Sequence, residues 1–275
     1  MKKHSIALLL LLVLLTGCGA KTEEAPWQTA YRETGKYLQE QDALSAGSVG
    51  GEWAVIGLSR AGLLSDETAQ SYEQTVEDYV KQAGSVRLHH AKSTENSRAI
   101  LGLTAAGYNA ANMAGVDLTA GLTDMAYLRA QGTNGPIWAL IALDCHGYDI
   151  PQCADGEEQT TCEGLVAEIL SYQCSDGGWA LMGDESDVDM TAMALTSLAP
   201  YQEETDIKAA VDAPLTYLSD AQQADGGGRH EPAVLLHPAE VPQEQSQHQK
   251  QRQPQQNSQE LLEQTALGTG GSDGQ

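Results

Sequence analysis

The sequence predicts an all-α fold built from repeated helical hairpins, and three observations lead there. Apolar residues recur at helical steps over most of residues 27–222, and the alternating β-branched runs that mark strands are lacking. Two kinds of helix alternate along this stretch, one amphipathic and one apolar almost all round. The apolar kind carries a small-xx-small-Leu pattern whose leucines, Leu58, Leu103, Leu143 and Leu195, advance by 45, 40 and 52 residues. A two-helix period of that size fits either an open α-solenoid or a closed ring with the apolar helices inside.

Ahead of the repeats, Lys2 and Lys3 precede an unbroken apolar run over residues 6–15, followed by Thr16, Gly17 and Cys18. A permanent span needs about 20 apolar residues, so this shorter run reads as a cleaved signal peptide, residues 1–17. Leu15, Thr16, Gly17 and Cys18 resemble the lipobox of bacterial lipoproteins. That resemblance implies lipidation of Cys18, with several acyl chains holding the protein stably at the outer face of the cell membrane. Residues 18–26 are then the anchor linker.

The amphipathic segments cover residues 27–41, 67–82, 118–131, 161–173 and 207–222. In the second, Tyr72, Val76, Tyr79 and Val80 form one stripe, with Glu73, Glu77 and Asp78 on the wet side. The apolar segments cover 52–61, 97–106, 136–143 and 189–198, and such helices must be covered on most sides. Small residues recur in them: Ala54 and Gly57, Ala99 and Gly102, Ala139 and Ala142, Thr191 and Ala194. The chain has no Phe, so its core is expected to rest on close helix contacts through these positions rather than on aromatic clusters. Past residue 228 the helical period vanishes, and residues 229–275 read as a disordered tail rich in Gln and Pro. Two readings of that change stand open: a frameshift or a divergent end in place of further repeats, or a natural disordered extension.

Net charge bounds the partners. It is −23 for the whole chain, and removal of Lys2 and Lys3 with the signal takes it from −23 to −25. Such a surface repels phosphate backbones, so no nucleic-acid partner is expected.

Residues 173–179 read QCSDGGW, a second copy, QQADGGG, begins 49 residues on at Gln222, and a degenerate copy, GGEW, ends at Trp53. These are similar to the QxxDGGW repeat of squalene and hopene cyclases and to the glycine-rich turns of protein prenyltransferase β subunits. The resemblance implies an α/α toroid over residues 27–228, with inner and outer helix rings, incomplete at its C-terminal end. In such turns Gln and Asp tie an outer helix to the next inner one, the glycines take positive φ, and Trp wedges between hairpins.

Asp187, Asp189, Thr191 and Ala192 look like the DxDDTA segment of class II terpene cyclases, which implies a general-acid role for Asp189 beside Asp187. Met190 stands where that motif has its third carboxylate. The alternative for both aspartates is to cap the helix whose first turn they occupy. The same fold serves secreted vitamin B12 carriers, which bind and do not catalyse. The resemblance therefore implies either a ligand-binding or surface-interaction module, with a corrinoid or isoprenoid-like small molecule as partner, or a cyclase-type or prenyltransferase-type enzyme. If the ring closes, the loops entering the inner helices gather at one mouth. Glu52, Trp53, His90, Glu95, Arg98, Asn134, Trp138 and Trp179 are the candidate pocket there.

Cys145, Cys153, Cys162 and Cys174 permit two disulfides in three pairings, with Cys153 and Cys162, flanking one polar loop, the easiest to close. Prenyltransferase β subunits hold zinc with Asp, Cys and His, and Asp144, Cys145 and His146 stand together. Adjacent helical residues point in different directions, so no metal site and no bound cofactor are expected.

Overall fold

The computed structural model describes residues 25–40, 44–48 and 50–224, all within the unit Met1–Gly228. The signal peptide, the lipobox cysteine Cys18, the glycines of the second DGG copy and the tail from residue 229 lie outside the described residues. The helices run α1 (Pro26–Gln39), α2 (Gly51–Arg60), α3 (Asp66–Ala83), α4 (Thr94–Ala105), α5 (Met125–Arg129), α6 (Asn134–Asp144), α7 (Cys162–Ser171), α8 (Val188–Leu198) and α9 (Thr205–Ala221). Among the described residues there are no strands, only isolated bridges, and the fold is all-α.

The apolar segments become α2, α4, α6 and α8, and they pack in chain order: α4 touches α2 and α6, and α6 touches α8. Leu58, Leu103 and Leu143 are buried on this row. The amphipathic helices cover it. Tyr72, Val76 and Val80 turn the buried stripe of α3 inward, α7 lies on α6, and α9 lies on α8. Close approach through a small residue is visible at Gly102, where a Cβ would stand 2.2 Å from the Tyr72 hydroxyl.

One device ends three of these apolar helices. Gly62, Gly107 and Gly147 take φ of 68°, 89° and 64°, each four residues beyond its repeat leucine. The next amide then reaches back to that leucine's carbonyl: Leu63 to Leu58 at 2.8 Å, Tyr108 to Leu103 at 2.9 Å and Tyr148 to Leu143 at 2.9 Å. This is the Schellman closure, in which a left-handed glycine satisfies carbonyls the helix leaves open. Helix α8 ends otherwise, in a 3-10 turn at Ala199–Tyr201 that contains Pro200.

At the QCSDGGW turn Gly177 takes φ 90°, as the motif requires. Gln173 donates to the Gly177 carbonyl at 2.7 Å and to the Ala210 carbonyl at 2.7 Å, so it reaches forward into α9. Asp176 stays within the loop, accepting from the Gly178 amide at 3.2 Å and from the Ser186 hydroxyl. Trp179 is fully buried and donates its indole N–H to the Ile169 carbonyl of α7 at 2.7 Å. It wedges between elements, and truncating such a side chain typically costs about 3–5 kcal/mol.

Three expectations are corrected. Residues 118–131 do not form one helix: a 3-10 turn, Leu118–Leu122, precedes the short α5. Two aspartates restart the chain there, Asp117 accepting from the Thr119 amide at 2.9 Å and Asp124 from the Ala126 amide at 3.1 Å. The GGEW segment is not a second wedge. Gly50, at φ 96°, opens α2 at once, so Trp53 lies inside the helix and is 42% exposed. Cys145, Cys153, Cys162 and Cys174, the cysteines among the described residues, are all free. Their polar loop is braced instead by Gln159, which accepts from the Cys153 amide at 2.9 Å and donates to the Pro151 and Thr160 carbonyls.

Candidate functional site

Contacts of Glu52 with Arg98 and of Trp53 with Trp138 bring the N-terminal halves of α2, α4 and α6 to one end of the row. There Glu52 and Trp53 enter from α2, Glu95 and Arg98 from α4, and Asn134 and Trp138 from α6. Arg98 links two carboxylates, bonding Glu95 at 2.6 Å and lying 3.6 Å from Glu52. Glu52 is 1% exposed, and its other oxygen accepts the Gly47 amide at 2.6 Å. Glu95 also accepts from the Tyr79 hydroxyl at 3.4 Å. Burial, and then the Glu52 charge, push the Tyr72 hydroxyl far above the usual tyrosine range, with Arg98 pulling the other way. Burial, and then Glu95, raise Tyr79 as well. These phenols are therefore neutral groups that frame the ion cluster.

Trp53 and Trp138 meet with ring centroids 5.1 Å apart and planes tilted by 57°, although their helices are separated by α4. Aromatic pairs favour such offset or tilted geometries. Glu52, Glu95 and Arg98 thus form one cluster, and the two tryptophans form a contact of their own. Asn134 opens α6, half-buried, and no side-chain hydrogen bond ties it to the cluster among the described residues. His90 stands apart, exposed, with its ring stacked on His89 at 4.5 Å. Trp179 lies inside the core and lines no opening.

At α8, Asp187 is the N-cap, accepting the Met190 amide at 2.7 Å, and Asp189 is an exposed residue of the first turn. The carboxylate resembling the cyclase acid thus faces solvent. No family model, no curated protein and no solved structure matches this chain. Asp144, Cys145 and His146 each have a separate partner: Asp144 accepts from Tyr201 at 3.0 Å, Cys145 donates to the Ala142 carbonyl, and His146 packs on Tyr148.

The described residues include two cavities of similar volume. One, of about 460 Å³, lies beside Arg87, Thr123, Gln152, Cys153 and Glu157. Its guanidinium is already engaged, with Asp124 at 3.1 Å, Glu157 at 2.5 Å and the Tyr127 ring beneath it at 4.5 Å. The other, of about 440 Å³, is lined by Ile56, Ser59, Arg60, Leu101, Thr104, Ala105 and Cys145. It lies at the C-terminal ends of α2, α4 and α6, opposite the ends that carry Glu52, Glu95 and Asn134.

Sequence reasoning missed Tyr79, Asn96 and Arg60. Asn96 is a buried hub whose oxygen accepts the Leu88 amide at 2.9 Å and whose nitrogen donates to the Val86 and Leu118 carbonyls. The signal for the lining was the repeat itself. Trp53, Arg98 and Trp138 share one place, each five residues before its repeat leucine, so equivalent positions project to one side.

Proposed function

We propose that this chain is an extracytoplasmic lipoprotein, anchored through Cys18, whose hairpins curve into an α/α toroid of the squalene-cyclase and prenyltransferase type. The toroid binds a small apolar or cofactor-like ligand and does not convert it. The contact between Trp53 and Trp138 carries this reading. Neighbouring helix axes stand about 8–10 Å apart, so a flat row would hold α2 and α6 about 16–20 Å apart with α4 between them. Rings 5.1 Å apart across that gap favour a row bent toward a common centre, leaving a concave face for a ligand. Binding rather than catalysis is supported at α8, where Asp187 is committed to a cap and Asp189 is wet. An acid able to protonate an alkene works in an enclosed site with its conjugate base supported.

The test is native mass spectrometry of the full-length chain carrying Cys18→Ser, beside the same chain with Asp189→Asn. A retained small molecule, unchanged by Asp189→Asn, is the expected result. Turnover of a polyprenyl substrate that disappears with Asp189→Asn would replace the binding reading with the enzymatic one. Anchoring is checked separately by acyl labelling, present in the wild-type chain and lost with Cys18→Ser.

A further inference from the structure

We propose that the cavity at the C-terminal ends of α2, α4 and α6 is a binding site for an anionic amphiphile, a medium-chain carboxylate, with its head at Arg60 and its tail along Ile56 and Leu101. This rests on the reading of the inner row as a concave binding face and names the ligand class.

The repeat builds the surface in layers. Trp53, Ile56 and Arg60 of α2 sit five before, two before and two after Leu58; Arg98, Leu101 and Ala105 of α4 hold the same places around Leu103. Trp138, Ile141 and Cys145 repeat them around Leu143. All nine are half-buried or exposed, whereas the repeat leucines are buried, so each trio is the open stripe of its helix. One layer holds the tryptophan pair and Arg98, the next is wholly apolar, and the last carries Arg60 as its single charge. From the first layer to the last the rise is about 10 Å, the length of a medium-chain acyl tail.

Arg60 differs from three other arginines of the helical body. Arg87 engages Asp124 and Glu157, Arg98 engages Glu52 and Glu95, and Arg129 engages Glu158 and Glu168. Arg60 has no ion pair among the described residues, in a chain where 38 acidic residues outnumber 15 basic ones. A guanidinium presents a fixed fork of donors matched to a carboxylate, and this one opens into a cavity.

The other polar groups of the lining are committed. Ser59 donates to the Ala105 carbonyl at 2.6 Å, and Thr104 donates to the Ile100 carbonyl at 2.8 Å. Burial pushes the Cys145 thiol up, so it stays neutral, and the adjacent Asp144 is turned to Tyr201. Helix C-termini ordinarily repel anions. Here the repeat-leucine carbonyls are taken by the Leu63, Tyr108 and Tyr148 amides, and Ser59 covers Ala105, which blunts that repulsion.

The test measures octanoate, octanol and octylammonium, each below its micelle concentration, against the full-length chain carrying Cys18→Ser, by calorimetry. Octanoate is expected to bind best. Arg60→Gln, at an exposed position that leaves the helical circular dichroism unchanged, is expected to weaken octanoate roughly tenfold or more, as for loss of a charge-assisted contact, and to leave octanol unaffected. Leu101→Asn should weaken both. Equal binding of octanol and octanoate, or octanoate binding indifferent to Arg60→Gln, overturns the proposal. If octanoate does not bind but native mass spectrometry finds another retained molecule, this inference falls and the binding-module reading stands. If no molecule is retained, both fall.

Discussion

Two glycines in comparable apolar helices should respond in opposite directions to the same substitution. At Gly135, in the first turn of α6, an added Cβ would lie 2.0 Å from the Leu128 carbonyl oxygen and 3.2 Å from the Ser93 hydroxyl oxygen. The first of these is backbone, so no rotamer change relieves it, and α6 must move away from the end of α5. Overpacking of this kind costs about 1–3 kcal/mol. Alanine regains up to about 1 kcal/mol of helix propensity over glycine, so Gly135→Ala should destabilise by about 1–2 kcal/mol. At Gly57, in α2, an added Cβ meets nothing within 4 Å. Gly57→Ala should therefore stabilise by about 0.4–1 kcal/mol. Urea unfolding followed by circular dichroism reads both: the midpoint should fall for Gly135→Ala and rise for Gly57→Ala, with the slope unchanged. A midpoint for Gly135→Ala equal to or above wild type would refute the close packing of α5 on α6.

Three further predictions concern charge. Asp187→Ala removes the N-cap of α8 and should cost about 1 kcal/mol, whereas Asp189→Asn, on the exposed first turn, should change urea stability by no more than about 0.5 kcal/mol; the reverse order would dismiss the capping assignment. Burial raises the Asp144 carboxyl above its ordinary range, outweighing the Tyr201 hydrogen bond. As pH rises the unfolded chain then ionises first, and stability is lost through the window between the unfolded and folded values. Asp144→Asn should match wild type near pH about 3 and exceed it at pH about 7, and a mutant weaker than wild type at neutral pH would reverse that sign. Glu168 behaves oppositely: its bond to Arg129 holds it below the ordinary range, so its contribution is present at neutral pH and lost as pH falls through the folded value. The pair is partly exposed, so Glu168→Gln should cost at most about 1 kcal/mol at pH about 7 and nothing in strong acid.

Much of the helical architecture was legible because a repeat states the same instruction several times. Apolar residues around Leu58, Leu103 and Leu143 marked α2, α4 and α6, and the polar stripe of α3 marked it as a covering helix. The misreading at residues 118–131 has a specific cause. Leu118, Leu122, Met125 and Leu128 keep helical spacing, and that periodicity hides Asp117 and Asp124, whose side chains compete with backbone bonding and restart the chain. The ion cluster was half legible. Glu52, Glu95 and Arg98 sit at helix starts where sequence can place them, but Tyr72 and Tyr79 arrive from α3, and only packing brings that helix alongside. Arg60 escaped notice because a basic residue in a last helical turn has an ordinary explanation, and its lack of a carboxylate partner is a fact of three dimensions.

The shared closure at Gly62, Gly107 and Gly147 sets what those positions tolerate. An added Cβ at any of the three would meet nothing within 4 Å, so what reserves these places for glycine is the left-handed backbone itself and not a shortage of room. A bulkier residue there would loosen the same final turn in each of the three helices, a liability that α8, stopped by its Pro200 turn, does not share.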